Sequence, residues 1–524
     1  MRKKLIYLFT FIVIALSTIA CSNKKNKQNL KEVTKPNIVF IYADDLGYGD
    51  ISAFGATEIQ TPAIDNLAKE GIAFHNAYAT AATCTPSRYS LLTGVYAWRK
   101  KGNSIATGDQ PLLIDPEKPT LPSILQSVGY KTGAVGKWHL GLGGKEGPDW
   151  NGELKPGPLE IGFDYSFLIP ATGDRVPCVF VENHHIVNLD PQDPIKVNYK
   201  QKVGNWPTGS ENPGLLKLKP SQGHANTIVN GISRIGWMEG GKEALWTDET
   251  IAHELVQKSK EFINTNKENP FFLYLSTHDI HAPRVPNELF KGKSGMGPRG
   301  DVILQLDWTV KQVVEELKKL NLLENTVILF SSDNGPVLDD GYHDQARELV
   351  GNHKPTGNLR GGKYSALEGG SKIPLIIRWP NSESKGIVSN TMVSQVDFFK
   401  SFGKLAGVDV SKFKNDSEDH LVNFKGDAKE GRTSLIQESF AGPLSYIKGD
   451  WKYIEPLDGP KLVPWGPIIE TGFQVTTQLY NLKNDPSEQK NLASEYPEKT
   501  KELRAELLEA RKGLSFTIFK PKLD

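Results

Sequence analysis

Five short, mostly apolar runs punctuate the chain: Asn37-Ile-Val-Phe-Ile-Tyr42, Lys131-Thr-Gly-Ala-Val135, Phe271-Phe-Leu-Tyr-Leu275, Val327-Ile-Leu-Phe330 and Pro374-Leu-Ile-Ile377. Continuous runs of this length predict strands buried on both faces, as in a parallel sheet. Between them the period changes. Ile64, Leu67, Ala68 and Ile72 follow Thr61-Pro62, and Ile303, Leu306, Val310, Val313, Leu317 and Leu320 recur at helical spacing. Amphipathic helices are expected there. Strands alternating with helices predict an α/β protein whose large sheet is covered on both faces.

Two stretches break the alternation. Residues from about 140 to 245 are rich in Gly, Pro, Asn and Trp with little periodicity, and read as long functional loops at one end of the sheet. After about residue 415, Ser445-Tyr-Ile-Lys448 and Trp451-Lys-Tyr-Ile454 flank Gly449-Asp450, a hairpin signal. Gln478-Leu-Tyr-Asn-Leu482 reads as a further strand, and Leu503, Leu507 and Ala510 as a helix ending near Gly513. The expected organisation is a large domain over 37–415 and a smaller α+β domain over 416–524.

The first residues have a different character. Arg2-Lys3-Lys4, an apolar run from Leu5 to Leu16 and Ser17-Thr18-Ile19-Ala20-Cys21 read as a secretory signal over 1–20. The run is short for a bilayer span, which takes about 20 apolar residues. A small residue before Cys21 with a polar stretch after it resembles a bacterial lipobox. Cys21 is therefore expected to carry lipid, with 21–36 as a tether and the protein anchored in the bacterial cell envelope; ordinary signal cleavage is the alternative. The 524 residues hold 62 Lys and Arg against 61 Asp and Glu, a charge of +1. Losing residues 1–20 removes Arg2, Lys3 and Lys4 and no acid, so no basic excess remains for nucleic acid. Three cysteines, Cys21, Cys84 and Cys178, are few for an exported protein and allow one disulfide at most. Cys178 reads as a buried small hydrophobe.

The chemistry gathers at strand ends. The first run delivers Asp44 and Asp45, the second Lys137 and His139, the third His278 and His281, and the fourth Asp333 and Asn334. Ligands of open α/β sheets bind beyond the carboxyl ends of the strands, so four such clusters predict one site. Asp44, Asp45, Asp333 and Asn334 offer only oxygen, which suits a hard cation, calcium before magnesium; singly, each could be a cap or turn residue. Lys137 and Lys363 would clamp an oxyanion, and His281 would serve as a general acid; alone, each also fits a solvated lysine or a structural histidine. Cys84-Thr85-Pro86-Ser87-Arg88 places a cation near a thiol, where a thiolate would be favoured, or simply starts a helix with Pro in its first turn.

Cys84-x-Pro86-Ser87-Arg88-x-x-Leu91-x-Thr93-Gly94 resembles the signature of type I, formylglycine-dependent sulfatases of the arylsulfatase-A-like class, within the alkaline phosphatase superfamily. The other clusters match in order: Asp44-Asp45, Gly136-Lys137-x-His139, His281-x-Pro283, Asp333-Asn334-Gly335, and Gly362-Lys363 before Glu368-Gly369-Gly370. The resemblance covers about residues 37–380. It implies a mixed, mostly parallel sheet sandwiched by helices and a C-terminal domain with an antiparallel sheet and a helix. It further implies a sulfuric ester hydrolase in which a maturation enzyme converts Cys84 to formylglycine, whose hydrate is the nucleophile. Calcium would lie on Asp44, Asp45, Asp333 and Asn334, with position 84 beside it. Arg88 would orient the hydrate, and Lys137 and Lys363 would neutralise sulfate oxygens. His281 would protonate the leaving alcohol, and His139 would help regenerate the aldehyde.

The implied substrate is a sulfated carbohydrate, attacked from a chain end, with 6-sulfated galactose or N-acetylgalactosamine of a glycosaminoglycan or algal polysaccharide expected. His278, Asp174 and Arg175 are candidate substrate contacts; Asp174 and Arg175 read equally as an ordinary ion pair. A formylglycine-dependent phosphonate or phosphate ester hydrolase, and a lipoprotein that binds sulfated glycan without turnover, remain the alternatives.

Overall fold

The computed structural model describes residues 35–428 and 430–512. The expected signal, the lipid-bearing Cys21, the tether up to residue 34 and the helix end at Gly513 lie outside the described residues.

Strand Asn37–Ala43 is the centre of a ten-stranded sheet. It pairs in parallel with Phe271–Ser276 on one side and Thr326–Ser332 on the other. Lys131–Lys137 and then Tyr165–Ile169 continue the parallel set beyond Phe271–Ser276. On the other side Leu375–Arg378 runs antiparallel to Thr326–Ser332, so the sheet is mixed. The apolar runs alternate between two cores because both faces are covered. Ile38, Phe40 and Tyr42 join one core with Leu91, Leu92, Ile124, Leu125 and Phe402. Val39, Ile41 and Ala43 join the other with Leu255, Ile263, Leu306, Val310 and Leu317. The second core is roofed by helices Ile251–Thr265 and Gly297–Lys319.

Two boundaries moved. Ile72, read as the last turn of a helix, belongs to strand Ile72–Phe74, because helix Pro62–Lys69 stops before Gly71. Gly71 lies so close to the Ile377 carbonyl oxygen that a Cβ would stand 2.4 Å from it. The 140–245 stretch is not all loop: Tyr165–Ile169 is a strand of the main sheet, extended by the short pair Val181–Glu182 and His185–Ile186. One five-residue run inside Gly- and Pro-rich surroundings carries too little period to stand out.

The C-terminal hairpin forms as expected, Leu444–Lys448 with Trp451–Ile454. Ser434–Glu438 and Gln478–Asn481 complete a four-stranded antiparallel sheet. Helix Pro497–Ala510 lays Leu503 and Leu507 on it. This sheet is fastened to the short helix Glu368–Ser371 and to strand Ala77–Tyr78 by a buried charge group. Lys452 Nζ lies 3.0 Å from both Glu368 and Glu488, and the Tyr78 hydroxyl donates to Glu368 over 2.7 Å. The described residues from Pro36 onward form one compact unit.

Candidate active site and metal centre

The central strands end in register. Ala43 stands beside Ser332, Tyr42 beside Ser276, and Ser276 beside Gly136. The residues that follow therefore leave the sheet at one edge, and all four clusters expected from the sequence meet there, each buried. Two glycines make the crowding possible. A Cβ at Gly136, which has φ 106°, would stand 1.8 Å from the Ser276 carbonyl oxygen. At Gly335 it would stand 1.8 Å from that of Gly369, which seats Glu368-Gly369-Gly370 under the Asp333-Asn334 turn.

Cys84 opens helix Cys84–Thr93 after an extended Thr83. Its Sγ lies 3.2 Å from His139 Nδ1, and His139 Nε2 lies 2.9 Å from the Ala106 carbonyl oxygen. A carbonyl only accepts, so Nε2 carries the proton and Nδ1 turns its lone pair to the thiol. Burial, with Lys137 beside it, holds the imidazole well below its ordinary range. The expectation that Arg88 makes Cys84 a thiolate is corrected: burial raises the thiol above its usual value, outweighing Lys137 and Lys363. Arg88, one helical turn on, is committed elsewhere. Its Nε and Nη2 donate to Asp333 Oδ2 over 3.0 and 2.7 Å, and Nη1 donates to the Ser276 hydroxyl and, over 3.4 Å, to Tyr274.

The oxygen cluster leaves acceptors without donors. Lys137 donates to Asp44 Oδ2, Lys363 to Asp45 Oδ2 over 2.8 Å, and Asn334 Nδ2 to Asp45 Oδ1 over 2.8 Å. Asp44 Oδ1 and Asn334 Oδ1 are buried with no hydrogen-bond partner. Such orphans are costly and call for an explanation. Burial pushes Asp44 and Asp45 up, and Asp333 beside them adds to the rise. Crowded carboxylates, two orphaned oxygens and an all-oxygen donor set fit a hard divalent cation on Asp44, Asp45, Asp333 and Asn334. Ligand atoms of Asp44, Asp45 and His281 also lie within 4.8 Å of one another.

His281 faces a lysine rather than an acid alone. Its Nδ1 is 2.5 Å from the Ala282 carbonyl oxygen, so Nδ1 carries the proton, and Nε2 accepts from Lys363 Nζ at 3.1 Å. Burial, with Lys363 and Lys137 close by, holds His281 well below its ordinary range. Burial opposes the charge on Lys363, but Asp340 and Asp45 outweigh it and raise the ammonium well above its usual value.

The three candidate substrate contacts also reach this edge. Asp174 is buried, 2.8 Å from Arg175 Nη1 and 3.1 Å from His224 Nε2; it is no surface pair. Gly173 lies against His278, where a Cβ would meet Cε1 at 2.6 Å. Burial lowers His278 to about 4, and its Nδ1 has no hydrogen-bond partner. The sequence reading missed Asp340 and His224. Asp340 accepts from Lys363 at 2.8 Å and from the Tyr364 hydroxyl at 3.1 Å. Both sit in loops whose local pattern marks nothing, although Asp340 follows the Asp333-Asn334 turn by only seven positions. Cys178 is buried and, like Cys84, free.

Residues 36–408 match the protein family described as Sulfatase. The chain is 54% identical over 500 residues to an N-acetylgalactosamine-6-O-sulfatase of Bacteroides thetaiotaomicron, covering 95% of this chain and 97% of that protein. It is 30% identical over 473 residues to human arylsulfatase A, covering 87% and 83%. A solved structure described under the metabolism of multiple glycosaminoglycans by Bacteroides thetaiotaomicron superposes with a TM-score of 0.89 at 54% identity, covering 91% of this chain and 99% of that one. Taken with the site at the sheet edge, these matches make the chain a member of the sulfatase family and a sulfuric ester hydrolase.

Proposed function

We propose that this sulfatase removes 6-O-sulfate from N-acetylgalactosamine of a glycosaminoglycan, with formylglycine at position 84 and one calcium ion. The observation that carries the reading is the seat of Cys84: a buried helix start facing His139 at 3.2 Å, beside two orphaned oxygens on Asp44 and Asn334. The 54% identity to an N-acetylgalactosamine-6-O-sulfatase supports the sugar.

When bound, calcium would polarise a sulfate oxygen, and formylglycine would supply an aldehyde hydrate as nucleophile. The chain's own residues do the rest. Arg88, fixed by Asp333, Ser276 and Tyr274, orients the group at position 84 from one turn along the helix. Lys137 and Lys363 meet sulfate oxygens with charge already in place. His139 takes a proton from position 84 at Nδ1, its free lone pair. His281 takes a proton at Nε2 from Lys363, with which it already shares a hydrogen bond, and passes it to the departing sugar oxygen. The negative sulfate ester, arriving between the two lysines, offsets the charge that depresses His281. Asp174, aligned by His224 and Arg175, and His278 hold sugar hydroxyls.

The mature protein is a lipoprotein of the bacterial cell envelope, attached through Cys21 after loss of residues 1–20, and its partner before export is the maturation enzyme. Among the described residues no helix is long and apolar enough to cross a membrane.

The test is the mass of the tryptic peptide Glu70–Arg88 from protein made with a maturation enzyme, together with sulfate release from N-acetylgalactosamine 6-sulfate. An aldehyde or hydrate mass with sulfate release is expected, and Cys84→Ala should lose both. An unmodified thiol, or cleavage of phosphonate esters in preference to the sulfate, overturns the reading.

A further inference from the structure

Asp340 stands outside the set of residues that hold the expected cation, yet it is buried against a charged group of the site. Its Oδ2 accepts from Lys363 Nζ over 2.8 Å, and the Tyr364 hydroxyl donates to the same oxygen over 3.1 Å and to Oδ1 over 3.2 Å. An ammonium has three N–H donors and no acceptor. Those of Lys363 meet Asp340 at 2.8 Å, Asp45 at 2.8 Å and His281 Nε2 at 3.1 Å. Three acceptors fix the direction of all three N–H bonds, one of them at the histidine lone pair. Asp45 is shared with Asn334 and with the expected cation, so Asp340 is the carboxylate that answers Lys363 from outside the metal centre.

The segment that carries Asp340 is pinned on both sides. Arg284 donates to the carbonyl oxygens of Val337 and Leu338 over 2.9 and 2.8 Å and to Asp344 over 2.7 Å. The Ser221 amide donates to the Gly341 carbonyl oxygen over 2.8 Å, and the His343 amide to that of Lys219 over 2.9 Å. Gly341, at φ 97°, lies where a Cβ would stand 2.2 Å from His224 Cε1, and Tyr342 packs edge-on to the His224 ring with centres 5.1 Å apart. The carboxylate is thus built onto the loop that carries His224, and the flexible four-carbon stem of Lys363 comes to a fixed acceptor.

We propose that Asp340 is a positioning residue that aims the Lys363 ammonium at His281 Nε2, so that the proton bound for the leaving sugar oxygen starts in line with the imidazole. The proposal rests on the proton route from Lys363 through His281 given above. The role asks no proton of Asp340 itself. Without its oxygen, one N–H of Lys363 loses its partner and the stem lets the ammonium turn from the histidine. Asparagine would keep the aim: its carbonyl oxygen accepts from Lys363, and its amide donates to the Tyr364 hydroxyl, which accepts as well as donates.

The experiment measures kcat and KM of the mature, formylglycine-bearing enzyme on N-acetylgalactosamine 6-sulfate and on a nitrophenyl sulfate. The variants are Asp340→Ala, Asp340→Asn, Tyr364→Phe and His281→Gln. Asp340→Ala should lose about 10²-fold in kcat on the sugar sulfate, the cost of a misplaced reacting group, with KM little changed. On the nitrophenyl ester, whose leaving group needs no proton, it should lose at most about tenfold. Asp340→Asn should recover most of the loss. Tyr364→Phe, which removes only the hydroxyl that steadies the carboxylate, should show the same dependence on leaving group in smaller degree, and it reads the role even where Asp340→Ala does not fold. Equal losses on the two esters overturn the proposal and leave Asp340 a structural residue. Asp340→Asn as poor as Asp340→Ala overturns it too, making Asp340 a counter-charge rather than an aim. Equal losses in His281→Gln overturn the proton route and the proposal with it, while the sulfatase assignment stands.

Discussion

Lys363 Nζ and His281 Nε2 stand 3.1 Å apart, with the lysine donating. In the proposed mechanism the proton for a leaving oxygen is stored on a lysine that Asp45 and Asp340 keep charged, and is delivered through a histidine that burial and the nearby lysines hold neutral at rest. His281→Gln should reduce turnover of the sugar sulfate by about 10²–10⁴-fold. A nitrophenyl sulfate, whose leaving group needs no proton, should lose far less. Parallel kcat measurements on both esters check this; equal losses would assign His281 a structural role.

The orphaned oxygens of Asp44 and Asn334 predict a metal-dependent protein. Chelation should abolish activity and lower the melting temperature, and calcium should restore both. Elemental analysis should find one calcium per chain, absent from Asp333→Ala. Full activity in a metal-free preparation would refute the site.

Asp50, five residues beyond Asp45, predicts an acid-side loss of stability. Burial alone would raise its carboxyl, but Arg299, at 2.8 and 2.6 Å, and His353, at 2.7 Å, win and lower it to about 2. A depressed acid stabilises the fold above its unfolded value of about 4 and loses that contribution as pH falls toward 2. The contribution is about 2 kcal/mol. Urea denaturation should show the gap between the parent and Asp50→Asn closing between pH 5 and pH 2, and a gap independent of pH would refute the assignment.

Lys452 answers two buried glutamates, so Lys452→Met should leave both without a counter-ion. Breaking a buried pair by removing one partner costs about 3–5 kcal/mol, read as a lower denaturation midpoint. Replacing Glu368 and Glu488 by glutamine in the same chain should recover part of the loss.

The sheet edge was legible because each buried run is apolar to its last residue and then turns abruptly polar; Asp44, Asp333, Lys137 and His281 announce themselves by position. Strand Tyr165–Ile169 did not, since a single short run among Gly and Pro has no period to read. The Cys84 expectation failed for another reason. Sequence shows that Arg88 is near, but not that the thiol is buried, nor that Asp333, 245 positions away, occupies the guanidinium. The Asp340 contact to Lys363 and the His224 contact to Asp174 are likewise long-range, and loops leave no rhythm behind. The binding edge could thus be read from local pattern, while the partners that tune each group could not.

The Lys452 group also bears on how such a protein can change over time. The four-stranded sheet supplies the cation, and the short helix Glu368–Ser371, which packs against Gly335 under the Asp333-Asn334 turn, supplies Glu368. A recombination that exchanged the C-terminal portion for a foreign one would strand a buried glutamate two steps from the ion-binding turn. The two sheets are therefore bound to be inherited together. Diversification of such chains is left to those parts of the loops between about 140 and 245 that lie away from Asp174, Arg175 and His224.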